Sequence, residues 1–353
     1  MIDITRIGMD TSKSIFVLHG VDAAEQPVLR KRLRRGQVLE YFAKLPATLI
    51  GIEACGSAHH WARELSALGH EVVLIAAQHV KPYVRRNKND DADAEAICEV
   101  MSRPRTRFVP IKSEEQQAAL MLVGTRDALV RRRTQLTNMI RGHAAEFGLV
   151  AARGLDKIDA LLARVEADAA LPVLARELFA ELGEDYTALQ NRLGKIEKAL
   201  LAWHRHDPQS RRLAEIPSIG PIGATLLAMK VPDPGAFRSG RDFAAWIGLT
   251  PKDHGTAGRQ RLGAITRAGD EALRSVLVAG ATAVIQQVNR GRSQPSPWLA
   301  DLLKRKPPKL AAVALANKTA RTAWKLMVTG ERYDRQRNQR PSHAAAAPVM
   351  LGA

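Results

Sequence analysis

Cysteine is nearly absent, with two thiols, Cys55 and Cys98, in 353 residues. That excludes a disulfide scaffold and a four-thiolate zinc site, and it points to a reducing cytoplasm. Long apolar runs are missing too: none approaches the roughly 18 to 20 residues of a membrane span, so no membrane role is expected. The first residues, Met-Ile-Asp-Ile-Thr-Arg, lack the basic-then-apolar order of a secretory leader. Acid is in deficit, with 36 Asp plus Glu against 53 Lys plus Arg and a net charge of +17. What is present is otherwise ordinary. At 46% hydrophobic and 25% charged the chain is too apolar for disorder, and it is long enough for two or three domains with cores.

The charge is unevenly spread. Residues 1–150 carry a net +5, residues 151–202 a net −2 and residues 203–353 a net +14. Only a small share of the excess lies after Gly330, so most of it belongs to foldable sequence. Such concentration suits a surface that neutralises phosphates.

Periodicity divides the chain in the same places. Residues 4–10, 14–22 and 28–33 read as strands, 36–44 as a helix, 48–53 as a short apolar strand ending in an acid, and 57–68 as a helix capped by Ser57. A buried-type strand follows at 71–75 and a helix at 88–101. Strands first, then strand–helix alternation, predicts a mixed α/β sheet covered by helices. Residues 113–147 and 155–201, the latter broken near Pro172, carry apolar residues at helical spacing. They predict two long antiparallel helices, as a protruding coiled-coil arm or as an internal bundle. From residue 204 onward Gly, Pro and Arg punctuate short helices at 225–229 and 239–247, then long ones at 270–287 and 309–328. The expected domains are therefore 1–110, 111–203 and a basic, mainly helical 204–330, with a disordered tail at 331–353.

Four acids stand out. Asp10 ends the first strand and Glu53 ends a later one, and strand ends of such a sheet face one crevice. Asp90 and Asp93 lie three apart at the start of a helix and so share a face. Four carboxylates from three elements would suit Mg²⁺, a hard cation that can activate water or a hydroxyl at a phosphodiester. Taken singly each has a plainer role, as a turn residue or as helix N-terminal charge. Asp91 and Glu95 are near enough to substitute. The order of the acids along the chain is that of a ribonuclease-H-like nuclease.

The stretches Gly8-Met-Asp-Thr-Ser-Lys13, Gly51-Ile-Glu-Ala-Cys-Gly56 and Lys88-Asn-Asp-Asp-Ala-Asp-Ala94 carry a resemblance to the DEDD transposases of insertion sequences. These are relatives of Piv-type DNA invertases, with an N-terminal domain resembling the RuvC junction resolvase. The family pattern of Lys, any residue, Asp, two residues, Asp, Ala selects Asp90 and Asp93 over Asp91. A second family signature is matched by Leu249-Thr-Pro-Lys-Asp-His-Gly-Thr-Ala-Gly-Arg-Gln-Arg-Leu-Gly263, followed by Ile265-Thr-Arg-Ala-Gly269 and Leu273-Arg-Ser-Val-Leu277. In the family a serine of this loop is the proposed nucleophile. Here Gly255 and Thr256 occupy the two serine positions, which leaves Thr256 as the hydroxyl.

The resemblance implies an Mg²⁺-dependent transposase that excises and inserts a mobile element. It also implies donor and target DNA selected by a noncoding bridge RNA, and a dimer or tetramer with a composite site. Pro217-Ser-Ile-Gly-Pro-Ile-Gly-Ala224 resembles the hairpin of a helix-hairpin-helix element, able to approach a phosphate. Lys252, Arg259, Arg261 and Arg267 around the Thr256 loop are expected phosphate contacts. So are Lys318, Arg321 and Lys325, spaced three and four apart in Ala316-Asn-Lys-Thr-Ala-Arg-Thr-Ala-Trp-Lys325, where Trp324 reads as a core anchor. The rival readings are a hydrolytic junction nuclease, in which water attacks, and a catalytically inactive nucleic-acid-binding protein.

Overall fold

In the computed structural model, which describes residues 4–84, 89–104, 106–152, 154–255 and 261–334, the chain divides into two units, 1–117 and 118–353. The first contains β1 (Arg6–Asp10), β2 (Ile15–Val21), β3 (Pro27–Arg34), α1 (Val38–Phe42), β4 (Leu49–Glu53), α2 (Ala58–Ala67), β5 (Glu71–Ile75), α3 (Ala77–Val80), α4 (Asp90–Met101) and β6 (Phe108–Val109). The strands form one mixed sheet in the order β3-β2-β1-β4-β5-β6. β1 is antiparallel to β2 and parallel to β4, β4 is parallel to β5, and β6 closes the edge antiparallel to β5.

Strand alternation gives the sheet two apolar faces. On one, Ile7, Met9, Phe16, Leu18, Ile50 and Ile52 pack with Val38 and Phe42 of α1 and Trp61 and Leu65 of α2. On the other, Val21 and Ile75 pack with Ile97, Cys98, Val100 and Met101 of α4. Several of these side chains are wholly buried, each stabilising the fold by about 1.5–3 kcal/mol relative to exposure. The approach of α4 to the sheet depends on the missing side chain of Gly8, and the Met101 side chain fills the space over Gly51. A Cβ built on Gly8 would lie 2.2 Å from the Ala94 carbonyl oxygen, and one on Gly51 would lie 2.5 Å from Met101 Sδ. Ser57 precedes α2 as expected, but its φ of 73° turns the chain through the left-handed region and its side chain makes no cap bond.

The second unit begins along α5 (Glu114–Glu146), followed by α6 (Ile158–Ala167) and α7 (Val173–His206). α5 and α7 run antiparallel. Arg126 pairs with Glu197 at 3.0 Å, and Arg133 Nη1 donates to Gln190 Oε1 at 3.1 Å. Beside those polar rungs Leu129 packs with Leu189 and Leu193. Farther along, Ile140 and Ala144 of α5 share a core with Ile158, Leu161 and Val165 of α6 and Phe179 of α7. Pro172 occupies the α7 N-cap position, which accounts for the break in the periodic pattern.

The remainder comprises α8 (Pro208–Leu213), α9 (Pro221–Lys230), α10 (Gly240–Trp246), β7 (Pro251–Asp253), β8 (Leu262–Ile265), α11 (Glu271–Asn289), α12 (Pro297–Arg305) and α13 (Pro308–Thr329). α13 turns Ala311, Ala312, Ala316, Ala320 and Ala323 inward to share a core with Leu273 and Leu277 of α11 and Phe243 of α10. Among the described residues no helix is long and apolar enough to cross a membrane.

Candidate metal centre and nucleic-acid interface

β1 and β4 are adjacent and parallel, paired from Arg6↔Leu49 to Met9↔Ile52. The same register brings Asp10 and Glu53 level at their C-terminal ends, one strand spacing of about 4.8 Å apart. Gly8 and Asp10 share a face by alternation, as do Gly51 and Glu53, and that face lies under α4. The helix enters with Asn89 as N-cap, its side chain accepting from the Ala92 N–H at 2.8 Å. Asp90 and Asp93 continue the stripe of Ala94, Ile97 and Met101 that faces the sheet. Carboxylate oxygens of Asp10, Asp90 and Asp93 consequently lie within 4.8 Å of one another. Asp91 turns away and pairs with Arg32 Nη2 of β3 at 2.5 Å. Glu53 is not one of the three converging groups, although its charge acts on Asp10.

Burial, and then the negative charges of Asp93, Asp90 and Glu53, push the Asp10 carboxyl up to about 6. Two helical carboxylates held against a half-buried third are an arrangement that a cation would relieve. The donors are all hard oxygens, the set that a divalent ion such as Mg²⁺ or Mn²⁺ prefers. The residues present therefore fit such an ion.

In the second unit the 217–224 segment makes a turn with Ser218 at φ 81°, its hydroxyl 2.9 Å from Thr319 Oγ1, before α9 starts at Pro221. The family-like loop joins β7 to β8. Lys252 lies on β7, and the Arg261 carbonyl accepts from the His254 N–H at 3.0 Å. Arg267 adopts φ 55° and donates its N–H to the Gly248 carbonyl. The side chains of Lys252, Arg261 and Arg267 are exposed. Thr256 and Arg259 lie outside the described residues, as does Lys88.

Lys318, Arg321 and Lys325 of α13 line one groove of about 1250 Å³ together with Arg241 and Trp298. Lys318 Nζ sits 4.5 Å over the Trp298 ring. Burial, with Arg321 nearby, holds the Lys318 ammonium below its ordinary value. Lys325 reaches Glu331 at 3.5 Å, and Trp324 is anchored by donating to the Pro234 carbonyl at 2.9 Å. Sequence spacing did not reveal Trp298, because the helix that carries it meets α13 only in three dimensions. Its one local signal is the Ser296 cap, which accepts from Leu299 N–H at the start of α12.

Comparison with known proteins adds a consistent set of similarities. Residues 210–295 match the model of the transposase IS116/IS110/IS902 family, and residues 7–147 match a second transposase model, that of the DEDD transposases of IS110. A protein of Sinorhizobium fredii described as a transposase is 63% identical over 337 residues, spanning 95% of this chain and 87% of its own. A protein of Pseudomonas aeruginosa described as a family 20 transposase is 48% identical over 328 residues, 92% of this chain and 97% of its own. The transposase for insertion sequence element IS1328 of Yersinia enterocolitica is 39% identical over 330 residues, 94% of this chain and 98% of its own.

Proposed function

This chain belongs to the IS116/IS110/IS902 family of transposases, and from that premise we propose that Asp10, Asp90 and Asp93, with Glu53 beside them, hold Mg²⁺ for the cutting and exchange of DNA strands at the ends of a mobile element. The observation that carries this reading is the convergence of three carboxylates within 4.8 Å. When bound, the ion supplies neutralising charge at the scissile phosphate and lowers the pKa of an attacking hydroxyl. The chain presents its oxygens on a strand end and a helix start, elements that fix their directions before DNA arrives. The mixed sheet, with acids ending two adjacent strands, supports a ribonuclease-H/RuvC-like reading of residues 1–110. The antiparallel α5–α7 pair supports a coiled-coil arm over 111–203, and the helices beyond support a transposase domain over 204–330.

The proposed nucleophile is Thr256. Its oxygen would bond to phosphorus as the DNA ester oxygen leaves with the hydroxyl proton. Lys252, Arg259, Arg261 and Arg267 would hold phosphates on either side, and Lys318, Arg321 and Lys325 would do so along the groove. The partners are donor and target DNA in the cytoplasm, a noncoding bridge RNA that selects them, and further copies of the chain in a dimer or tetramer.

The test is cleavage of labelled element-end DNA by the full-length protein with its RNA. Mg²⁺-dependent cleavage lost in Asp10→Asn, together with a covalent protein–DNA adduct lost in Thr256→Ala, supports the reading. Mg²⁺-dependent cleavage with no adduct favours hydrolysis by water, and binding without cleavage leaves an inactive nucleic-acid-binding protein.

A further inference from the structure

The sheet ends at β3, and this edge strand carries Arg30, Lys31, Arg32 and Arg34, with Arg35 immediately after. Read as a string these are a run of surface charge. Register sorts them. Arg30 pairs with His19, Arg32 with Val17 and Arg34 with Ile15, while Asp10 pairs with the same Val17 on its other side. Arg30, Arg32 and Arg34 therefore project from the face that carries Asp10. Lys31, opposite Leu18, projects from the other face and lies 4.5 Å over the Tyr41 ring. Leu33, between Arg32 and Arg34, is buried on that second face with Phe16.

All three arginines are exposed. α4 packs over β1 and β2 on their face of the sheet. Arg32, Val17 and Asp10 form one row across three strands, which separates the Arg32 and Asp10 backbones by about 10 Å. Acids of α4 border the row: Asp91 holds Arg32 at 2.5 Å, and the charge of Glu95 reaches His19, the partner of Arg30. Alternate residues of a strand recur every 6.7 Å or so, about twice the ~3.4 Å axial interval between phosphates of one DNA strand. The planar guanidinium fork suits a phosphate better than a lysine ammonium does.

We infer that Arg30, Arg32 and Arg34 form a phosphate rail that leads a DNA strand along the sheet edge to the Asp10–Asp90–Asp93 cluster. In the free protein Asp91 pairs with Nη2 of Arg32, and an incoming phosphate takes its place. The inference rests on the metal-centre reading for its destination, but binding along the rail is measurable without cleavage. Charge on an edge strand also deters pairing with another sheet edge. That role is indifferent to which face a charge occupies, so Lys31 would serve it as well as Arg32.

The experiment measures binding of a fluorescein-labelled 30-base-pair duplex to the full-length protein, with Ca²⁺ in place of Mg²⁺, across a salt series. Combined substitution of Arg30, Arg32 and Arg34 by Ala is expected to flatten the log–log salt slope by about 2 to 3, with Lys31→Ala leaving it unchanged. The triple Lys variant should regain most of the slope. Should the triple Ala variant melt early, Arg30→Ala and Arg34→Ala singly are each expected to remove about 0.9. A wild-type slope in the Ala variants, or an equal loss in Lys31→Ala, overturns the rail, and self-association of those variants would identify an edge guard instead. Asp10→Asn separates the two readings: it should keep the slope and lose Mg²⁺-dependent cleavage. Cleavage that survives Asp10→Asn defeats the metal centre as the rail's destination.

Discussion

Replacing Asp10 by Asn should make the metal-free protein more stable at neutral pH while removing its ability to cut DNA. The Asp10 carboxyl rises from 3.8 to about 6 because burial and the charges of Asp93, Asp90 and Glu53 all oppose its ionisation. A group raised on folding contributes stability that is fully present below its unfolded value and is lost as pH rises through its folded value. The loss therefore falls between about pH 4 and pH 6.5 and is complete above that. A shift near two units corresponds to roughly 3 kcal/mol, and solvent reaching a half-buried group reduces this to about 1–2 kcal/mol. Asn keeps the shape and carries no charge, so the variant lacks that loss. Melting curves of EDTA-treated wild type and Asp10→Asn should nearly coincide at pH 4 and diverge by ~2–6 °C at pH 7.5, the variant melting higher. Added Mg²⁺ or Mn²⁺ should raise the wild type and narrow the gap, because a ligand of the native state stabilises it by mass action. A variant that melts lower than wild type at pH 7.5 without metal, or by a margin independent of pH, would refute the view of these carboxylates as a mutually repelling cluster.

Gly8→Ala should destabilise the first unit by about 1–3 kcal/mol in urea denaturation, since its Cβ would fall 2.2 Å from the Ala94 carbonyl oxygen and α4 must lift away. Cleavage should fall further than stability alone explains. Asp270→Ala removes both the α11 cap, which accepts from Leu273 N–H at 2.9 Å, and the 2.6 Å pair with Lys230. A loss of about 2–4 kcal/mol is expected, larger than for Lys304→Ala, whose pair with Asp301 is exposed. Gly194→Ala, in the interior of α7 with nothing within 4 Å of the new methyl, should stabilise by about 0.5–1 kcal/mol in thermal melts.

Elements with a long or strongly alternating pattern were legible in the sequence. The 71–75 strand has the bounds of β5, and α5 lies within one residue of the expected 113–147 at either end. Short or exposed elements were not. β6 has two residues, too few for any period, and β7 and β8 are mostly exposed, so neither shows the in–out alternation that marks a half-buried strand. α9 starts four residues before the expected 225 because Pro221, read as part of a turn, occupies the first helical position, where its missing N–H costs nothing. The carboxylates could be nominated from strand-end and helix-start positions. Three-dimensional register was needed to turn Asp91 toward Arg32, and to sort Arg30, Arg32 and Arg34 from Lys31. The length of a charge run says nothing of which face it serves.

Gly8 has a consequence for how the acidic centre tolerates change elsewhere. Beneath α4 the spacing to β1 is gauged by backbone against backbone at Gly8, not by interlocked side chains. Substitutions among Ile97, Val100 and their neighbours can redistribute volume around that contact without resetting it. The middle of α4, at Ala94 and Cys98, is thus moored to the strand that ends in Asp10 by backbone, which substitutions elsewhere do not resize. Drift in the surrounding apolar layer would be expected to change how firmly the unit holds together well before it changes the distance between its carboxylates.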